Sequence, residues 1–191
     1  MLTDDELFNM LLSKQKDILN QSIGRRLIEV DRFFGSDLPS FLEGGYFTET
    51  EFFSHNPGAI QLHFEGNLTY GLDVYGEQLS IFVLPGTLSS DEFTKLYRLS
   101  ETSAASPTLK NCLGKTCHDV RIWTLQEDFE SEEAKEVAVS YLLNGESEMF
   151  YCIYLLEDCD SDYLLLGQDV PRDRVASCFS IALGDYIDPR Q

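Results

Sequence analysis

The chain has 191 residues, 43% of them hydrophobic and 12% aromatic, with 33 acidic side chains against 14 Lys and Arg for a formal net charge of -19. That length can bury roughly 70% of its unfolded surface and hold a core without a metal or disulfide, so disorder is excluded. The charge repels phosphate backbones and anionic lipid, which excludes direct nucleic-acid binding and attraction to a membrane surface. Five cysteines at irregular spacing do not form an extracellular disulfide framework, and no apolar run approaches ~18 residues, so a cytoplasmic, reduced protein is expected.

Thr3 and Glu6 form a capping-box pattern, and Leu7, Met10, Leu11, Ile18 and Leu19 follow on one stripe, predicting a helix from Asp4 to Asn20. Gly24 ends it, and Leu27 to Phe34 suits a strand. The long connection from Gly35 to Gly58 carries Phe41, Tyr46, Phe47, Phe52 and Phe53, too many aromatics to float free of the body. From Ala59 the residues alternate: Ile60, Leu62 and Phe64 take one face, and Gln61, His63 and Glu65 the other. A turn at Gly66-Asn67 leads to strands through Tyr70 to Val74 and Leu79 to Leu84, an antiparallel meander closed by Pro85-Gly86.

The octet Ile23-Gly24-Arg25-Arg26-Leu27-Ile28-Glu29-Val30 has a second copy in Leu113-Gly114-Lys115-Thr116-Cys117-His118-Asp119-Val120. Each runs aliphatic, Gly, cation, three variable residues, acid, Val, with an aromatic three positions later at Phe33 and Trp123. Around the second copy the parts recur in order. Ser89 with Glu92 predicts a helix to Leu99, and a linker from Ser100 to Asn111 leads into the octet. A strand over Cys117 to Leu125 and an acidic connection, Gln126 to Glu136, follow. Strands over Val137 to Leu143 and Met149 to Leu156 flank a turn at Asn144-Gly145-Glu146. Ala59 precedes Gly66 by seven positions, as Ala138 precedes Gly145. The tail from Gly167 has no evident counterpart, and Val175 to Leu183 reads as a strand or short helix.

These observations predict an α+β protein of two similar lobes, residues 1–87 and 88–191, each a helix with an antiparallel sheet, arising by tandem duplication and packed as one unit. The alternative is one continuous curved sheet with helices on one face. In either case the octet is a helix-to-strand junction, where Gly permits a sharp exit and the cation stays solvated.

His55, His63 and His118 are isolated in sequence, and no phosphate loop, nucleophile elbow or His-Glu-x-x-His pair is present. Cys112 with Cys117 and Cys152 with Cys159 lack the spacing of a zinc knuckle. Asp158, Asp160 and Asp162 alternate as at the start of a calcium loop, but Tyr163 stands where its turn needs Gly. No catalytic residue, metal or cofactor is therefore assigned. Glu127, Asp128, Glu130, Glu132, Glu133 and Glu136 put six acids in ten residues, and Glu157, Asp158, Asp160 and Asp162 form a second run. If strand ends bring these runs together, they make one negative patch suited to a basic protein surface.

The expected function is a non-enzymatic acidic cytoplasmic binding protein, of the bacterial immunity or inhibitor type, neutralising a basic toxin or other basic partner. The alternative is a small enzyme, or metal- or ligand-binding protein, with a site between the lobes drawing on His63 and His118.

Overall fold

The computed structural model describes residues 4–35, 37–45, 47–55, 58–75, 80–89, 94–125, 135–144, 147–153, 162–166 and 175–187. They form short helices and two antiparallel sheets, an α+β fold. No described helix is long and apolar enough to cross a membrane.

The single helix expected over Asp4 to Asn20 is two, α1 (Asp4–Asn9) and α2 (Lys16–Asn20). Between them Leu11 bridges to Phe82, and the Val83 N–H donates to the Met10 carbonyl at 2.8 Å. Sheet-edge hydrogen bonds available at that point outcompete continued helix, while Leu7, Leu12 and Leu19 still reach the interior. Thr3 lies outside the described residues.

Strand β1 (Leu27–Phe34) begins within the first octet, and α3 (Leu38–Glu43), a 3-10 turn (Glu49–Glu51) and α4 (Phe52–His55) occupy the long connection. Then come β2 (Ile60–Phe64), β3 (Leu68–Tyr75) and β4 (Ser80–Pro85), the expected meander. Gly66 and Asn67 both have positive φ, 78° and 61°, within the tight turn that joins the paired Phe64 and Leu68. Alternation places Ile60, Leu62 and Phe64 in the core, and Gln61 and His63 on the outer face.

The helix expected to run to Leu99 is not present at its end: Lys95–Arg98 is a strand, β5, paired antiparallel with β1. Tyr97 turns inward, its ring 5.5 Å from that of Phe34 and 5.1 Å from that of Phe52, and the Leu99 N–H donates to the Val30 carbonyl at 2.9 Å. Period-two burial beside an open β1 edge prevails over a local capping signal. The first sheet therefore has the order β4-β3-β2-β1-β5 and extends past residue 87.

The second sheet holds β6 (Cys117–Leu125), β7 (Glu136–Leu143), β8 (Ser147–Ile153), β9 (Asp162–Leu166), β10 (Val175–Ser180) and β11 (Asp185–Ile187), in the order β11-β10-β6-β7-β8-β9. A short helix, α5 (Pro107–Lys110), precedes it, with the Ser106 hydroxyl accepting from the Leu109 N–H. Two separate sheets replace the alternative of one continuous sheet.

The registers of the two sheets coincide. Leu27, Val30 and Arg32 face Phe64, Leu62 and Ile60, with an irregularity between Leu27 and Glu29. Cys117, Val120 and Ile122 face Leu143, Tyr141 and Val139, with an irregularity between Cys117 and Asp119. On the other side Asp31 pairs with Arg98, and Arg121 with Ser180. The tail expected to lack a counterpart thus supplies β10, which occupies the place on β6 that β5 occupies on β1.

The octets meet each other. Gly24 N–H donates to the Cys117 carbonyl (2.8 Å) and Gly114 N–H to that of Leu27 (2.7 Å). Leu27 N–H donates to the Lys115 carbonyl and Cys117 N–H to that of Arg25, both at 2.9 Å, around a central Arg26–Thr116 bridge. This is a local two-fold arrangement. Gly24 and Gly114 have φ of 83° and 78°, a region costly for residues with a Cβ. The cations are not simply solvated: Arg25 Nη1 donates to the Glu65 carbonyl at 2.8 Å, and Lys115 Nζ to Ser147 Oγ at 2.6 Å. Each braces a hairpin of its own sheet.

One apolar core lies between the sheets. Leu27, Val30, Leu62 and Phe64 meet Val120, Val139, Tyr141 and Met149 in it, together with Leu12 and Leu19 from the helical segments. Tyr70 Oη donates to Tyr141 Oη at 3.0 Å, and Ser22 Oγ lies 2.8 Å from Tyr70 Oη.

Candidate functional site

Of the acids singled out in the sequence, Glu127, Asp128, Glu130, Glu132, Glu133, Glu157, Asp158 and Asp160 lie outside the described residues. Asp162 opens β9, its backbone paired with Ile153. Glu136 departs from expectation. It begins β7, is only 6% exposed, and accepts from the Ser13 N–H at 3.0 Å, so it is tied to the first helical segment and does not face solvent in an acidic patch.

Burial raises the Glu136 pKa above its usual range, with the Ser13 hydrogen bonds and Lys16 opposing. An acid with a raised folded pKa binds its proton more tightly folded than unfolded, so its contribution to stability falls as pH rises from the ordinary glutamate range through that raised value. Glu136→Gln is therefore expected to become progressively more stable than the parent across that window, while keeping an acceptor for Ser13. Urea denaturation at several pH values checks this; a variant less stable than the parent at neutral pH would contradict it.

The histidines do not converge. His63, on the outer face of the first sheet, has Nε2 2.9 Å from Asp31 Oδ2 and 3.0 Å from Gln61 Nε2, with Nδ1 3.2 Å from Thr69 Oγ1. His118 is exposed in the second sheet and hydrogen-bonds Asn144. The space between the sheets is filled by Phe64, Tyr70 and Tyr141, the Phe64 ring 6.0 Å and 5.9 Å from the two tyrosine rings. Among the described residues no group of three or more His, Cys, Asp or Glu is arranged to hold a metal. Cys112, Cys117, Cys152 and Cys178 are buried, and burial pushes the Cys112 thiol to about 11 and that of Cys117 to about 12, away from nucleophilic reactivity.

Two polar clusters sit at matching registers with opposite central charge. In the first sheet Asp31 lies between His63 and Arg98, whose Nε is 3.4 Å from Asp31 Oδ1. In the second, Arg121 holds Asp119 at 3.1 Å and Glu148 at 3.5 Å. Ser180 Oγ and the Ala182 N–H also donate to Asp119, Ser140 Oγ donates to Glu148, and Trp123 Nε1 donates to Ser140 Oγ. The second cluster is hydrogen-bonded in place, as structural networks are, while in the first Asp31 Oδ1 has only the 3.4 Å ion pair with Arg98.

The connection between β1 and β2 is different. Phe52 and Phe53 are fully buried, and the buried Arg32 donates from Nη1 to the Phe53 carbonyl. Phe53 N–H donates to the Ala104 carbonyl at 2.9 Å, so the aromatics do pack on the body as the sequence implies. Asp37 caps α3 by accepting from the Ser40 N–H at 3.1 Å, and Glu51 accepts from the Thr48 N–H and hydroxyl, both at 2.7 Å. These contacts hold the Asp37 and Glu51 carboxyls below their ordinary range, the hydrogen bond from Lys95 contributing most for Asp37 and the Thr48 side-chain hydrogen bond for Glu51. Phe47 is stacked between Phe41 and His55, with centroids 5.5 Å and 5.0 Å away.

Most described cations are engaged within the molecule. Arg26 pairs with Glu65, Lys95 with Asp37, and Arg98 with Asp31 and Glu101, while Arg25, Arg32, Lys115 and Arg121 have the partners given above. Lys14 and Lys16 lie over the rings of Phe8 and Phe179. These contacts hold those cations locally, in a chain whose formal net charge is -19.

No protein-family model, curated protein or solved structure matches this chain. Any functional reading therefore rests on its own chemistry.

Proposed function

We propose that the protein is a non-catalytic binding protein whose acidic surface takes up a basic protein partner, in the manner of an inhibitor or immunity protein that covers a basic toxin. The observation that carries this reading is the combination of a net charge of -19 with cations occupied by internal ion pairs, carbonyls and rings. A basic surface approaching such a molecule meets a predominantly negative field, which speeds encounter and suppresses acidic competitors. The raised pKa values of the buried Cys112 and Cys117 and the different surroundings of His63 and His118 also favour binding over chemistry.

The test is capture of partners from the source cell at low and at moderate salt, followed by association kinetics with the purified partner. The expected result is a protein of high isoelectric point whose on-rate falls by about 10–10³-fold as salt is raised to the physiological range. Recovery of only neutral or acidic partners, or an on-rate indifferent to salt, would overturn the proposal.

We also infer that the two sheets descend from one duplicated unit, with the junction between β5 and α5 in place of residue 87. Support comes from the shared registers, the irregularity after Leu27 and Cys117 alike, and the reciprocal hydrogen bonds of the two octets.

A further inference from the structure

Within the β1–β2 connection, two large apolar side chains are left in solvent: Leu42 is 37% exposed and Phe47 39% exposed. Both lie beside Phe41, Leu42 as its chain neighbour and Phe47 as its stacking partner. Nothing in the sequence forces this, because the same segment buries Phe52 and Phe53 completely. The stretch from 37 to 55 carries Asp37, Glu43, Glu49 and Glu51 and no Lys or Arg. Glu43 and Glu49 are exposed, Glu43 next to Leu42 in the chain and Glu49 two residues after Phe47, where it accepts from Ser103 Oγ at 3.3 Å.

We propose that this connection is the docking element of the protein, and that its occupant is a basic amphipathic segment of a protein partner. An apolar side chain of that segment covers Leu42 and Phe47, while its Lys or Arg residues meet Glu43 and Glu49. The inference rests on the reading of the protein as a binder of basic proteins and locates the contact. Charge complementarity chooses the occupant, since a second copy of this chain would bring like charge to the same acids. The apolar pair supplies the anchor and the acids a polar rim, the usual division of labour at an interface.

The element is also built to be presented. The capped α3, the Thr48–Glu51 hydrogen bonds, the Phe41–Phe47–His55 stack and the Phe53–Ala104 hydrogen bond fix it against the body. Little ordering entropy then remains to be lost on docking.

The test uses the full chain and a fluorescent amphipathic helical peptide of Leu and Lys, with a Leu and Glu peptide of the same pattern as control. Binding is measured by anisotropy at low salt, and its footprint by hydrogen exchange. The expected result is binding of the Lys peptide alone, protection centred on residues 38–55, and weakening of at least about tenfold by Phe47→Ala. Because Phe47→Ala disturbs the ring stack, the exposed pair Glu43→Lys/Glu49→Lys is measured beside it, with Asp185→Lys on β11 as a charge-reversal control. The double variant should weaken binding about tenfold or more and the control less than about twofold. Binding with protection elsewhere, or equal loss in the double variant and the control, would overturn this location while leaving the basic-partner reading standing. Failure of the Lys peptide to bind at low salt would overturn both.

Discussion

Tyr141→Ala is expected to cost about 3–5 kcal/mol and to melt both sheets in a single step. Tyr141 is fully buried, its ring 5.9 Å from that of Phe64 in the opposite sheet, and its hydroxyl accepts from Tyr70. Truncation opens a cavity where the two sheets meet, where neither can collapse without moving the other. Tyr141→Phe keeps the ring and should cost only about 1 kcal/mol, since Tyr70 retains Ser22 as a hydrogen-bond partner. Urea denaturation followed by far-ultraviolet circular dichroism reports the whole chain, and Trp123, the sole tryptophan, reports the second sheet. Coincident midpoints are expected for parent and variant alike. Separated transitions would mean that the sheets fold independently and that the shared core does not couple them.

What could be read in the sequence follows from where local pattern and tertiary demand agree. The strand through Ile60 to Phe64 is legible because alternation alone selects a buried face, and that over Cys117 to Leu125 because it follows the recurring octet. The recurrence of the octet is legible too. The capping-box pattern at Ser89 points to a helix ahead of the second octet, whereas the short helices nearest the two octets are α2 and α5, each ending four residues before its octet glycine. The stretch Lys95 to Arg98 carries a period-two signal too short to outweigh a helix cap, and only the open edge of β1 decides it. The helix break near Leu11 likewise depends on an edge of β4 some seventy residues away.

The functional features divide along the same line. The aromatic content of the β1–β2 connection marked it as packed, and Phe52 and Phe53 bear this out, yet nothing in the spacing distinguishes them from the exposed Phe47. Asp31 and His63 are 32 positions apart and become neighbours only through the β1–β2 register. Glu136 looked like the last of an acidic run, but its place at the start of a buried strand, against Ser13, removes it from that run. A charge run carries no information about which member a strand will take in.

Arg121→Ala is expected to be the other large loss, about 3 kcal/mol, because it strands two carboxylates that are barely exposed. Asp119 and Glu148 are 7% and 6% exposed, and Arg121 is the cation that reaches both. Ser180, Ala182 and Ser140 would still donate to them, which holds the penalty below that of wholly orphaned charges. The cost should therefore lie in the acids and not in the missing guanidinium. Adding Asp119→Asn and Glu148→Gln to the arginine variant is expected to restore most of the stability, measured by urea denaturation. A loss below about 1 kcal/mol would place the cluster with ordinary surface ion pairs, and failure of the triple variant to recover would assign the loss to Arg121 packing. The first sheet supplies the contrast, since its central residue at the same register is Asp31, held by His63 and a half-exposed Arg98. One backbone register thus accepts either sign at its centre, provided that neighbouring strands bring the opposite charge to it.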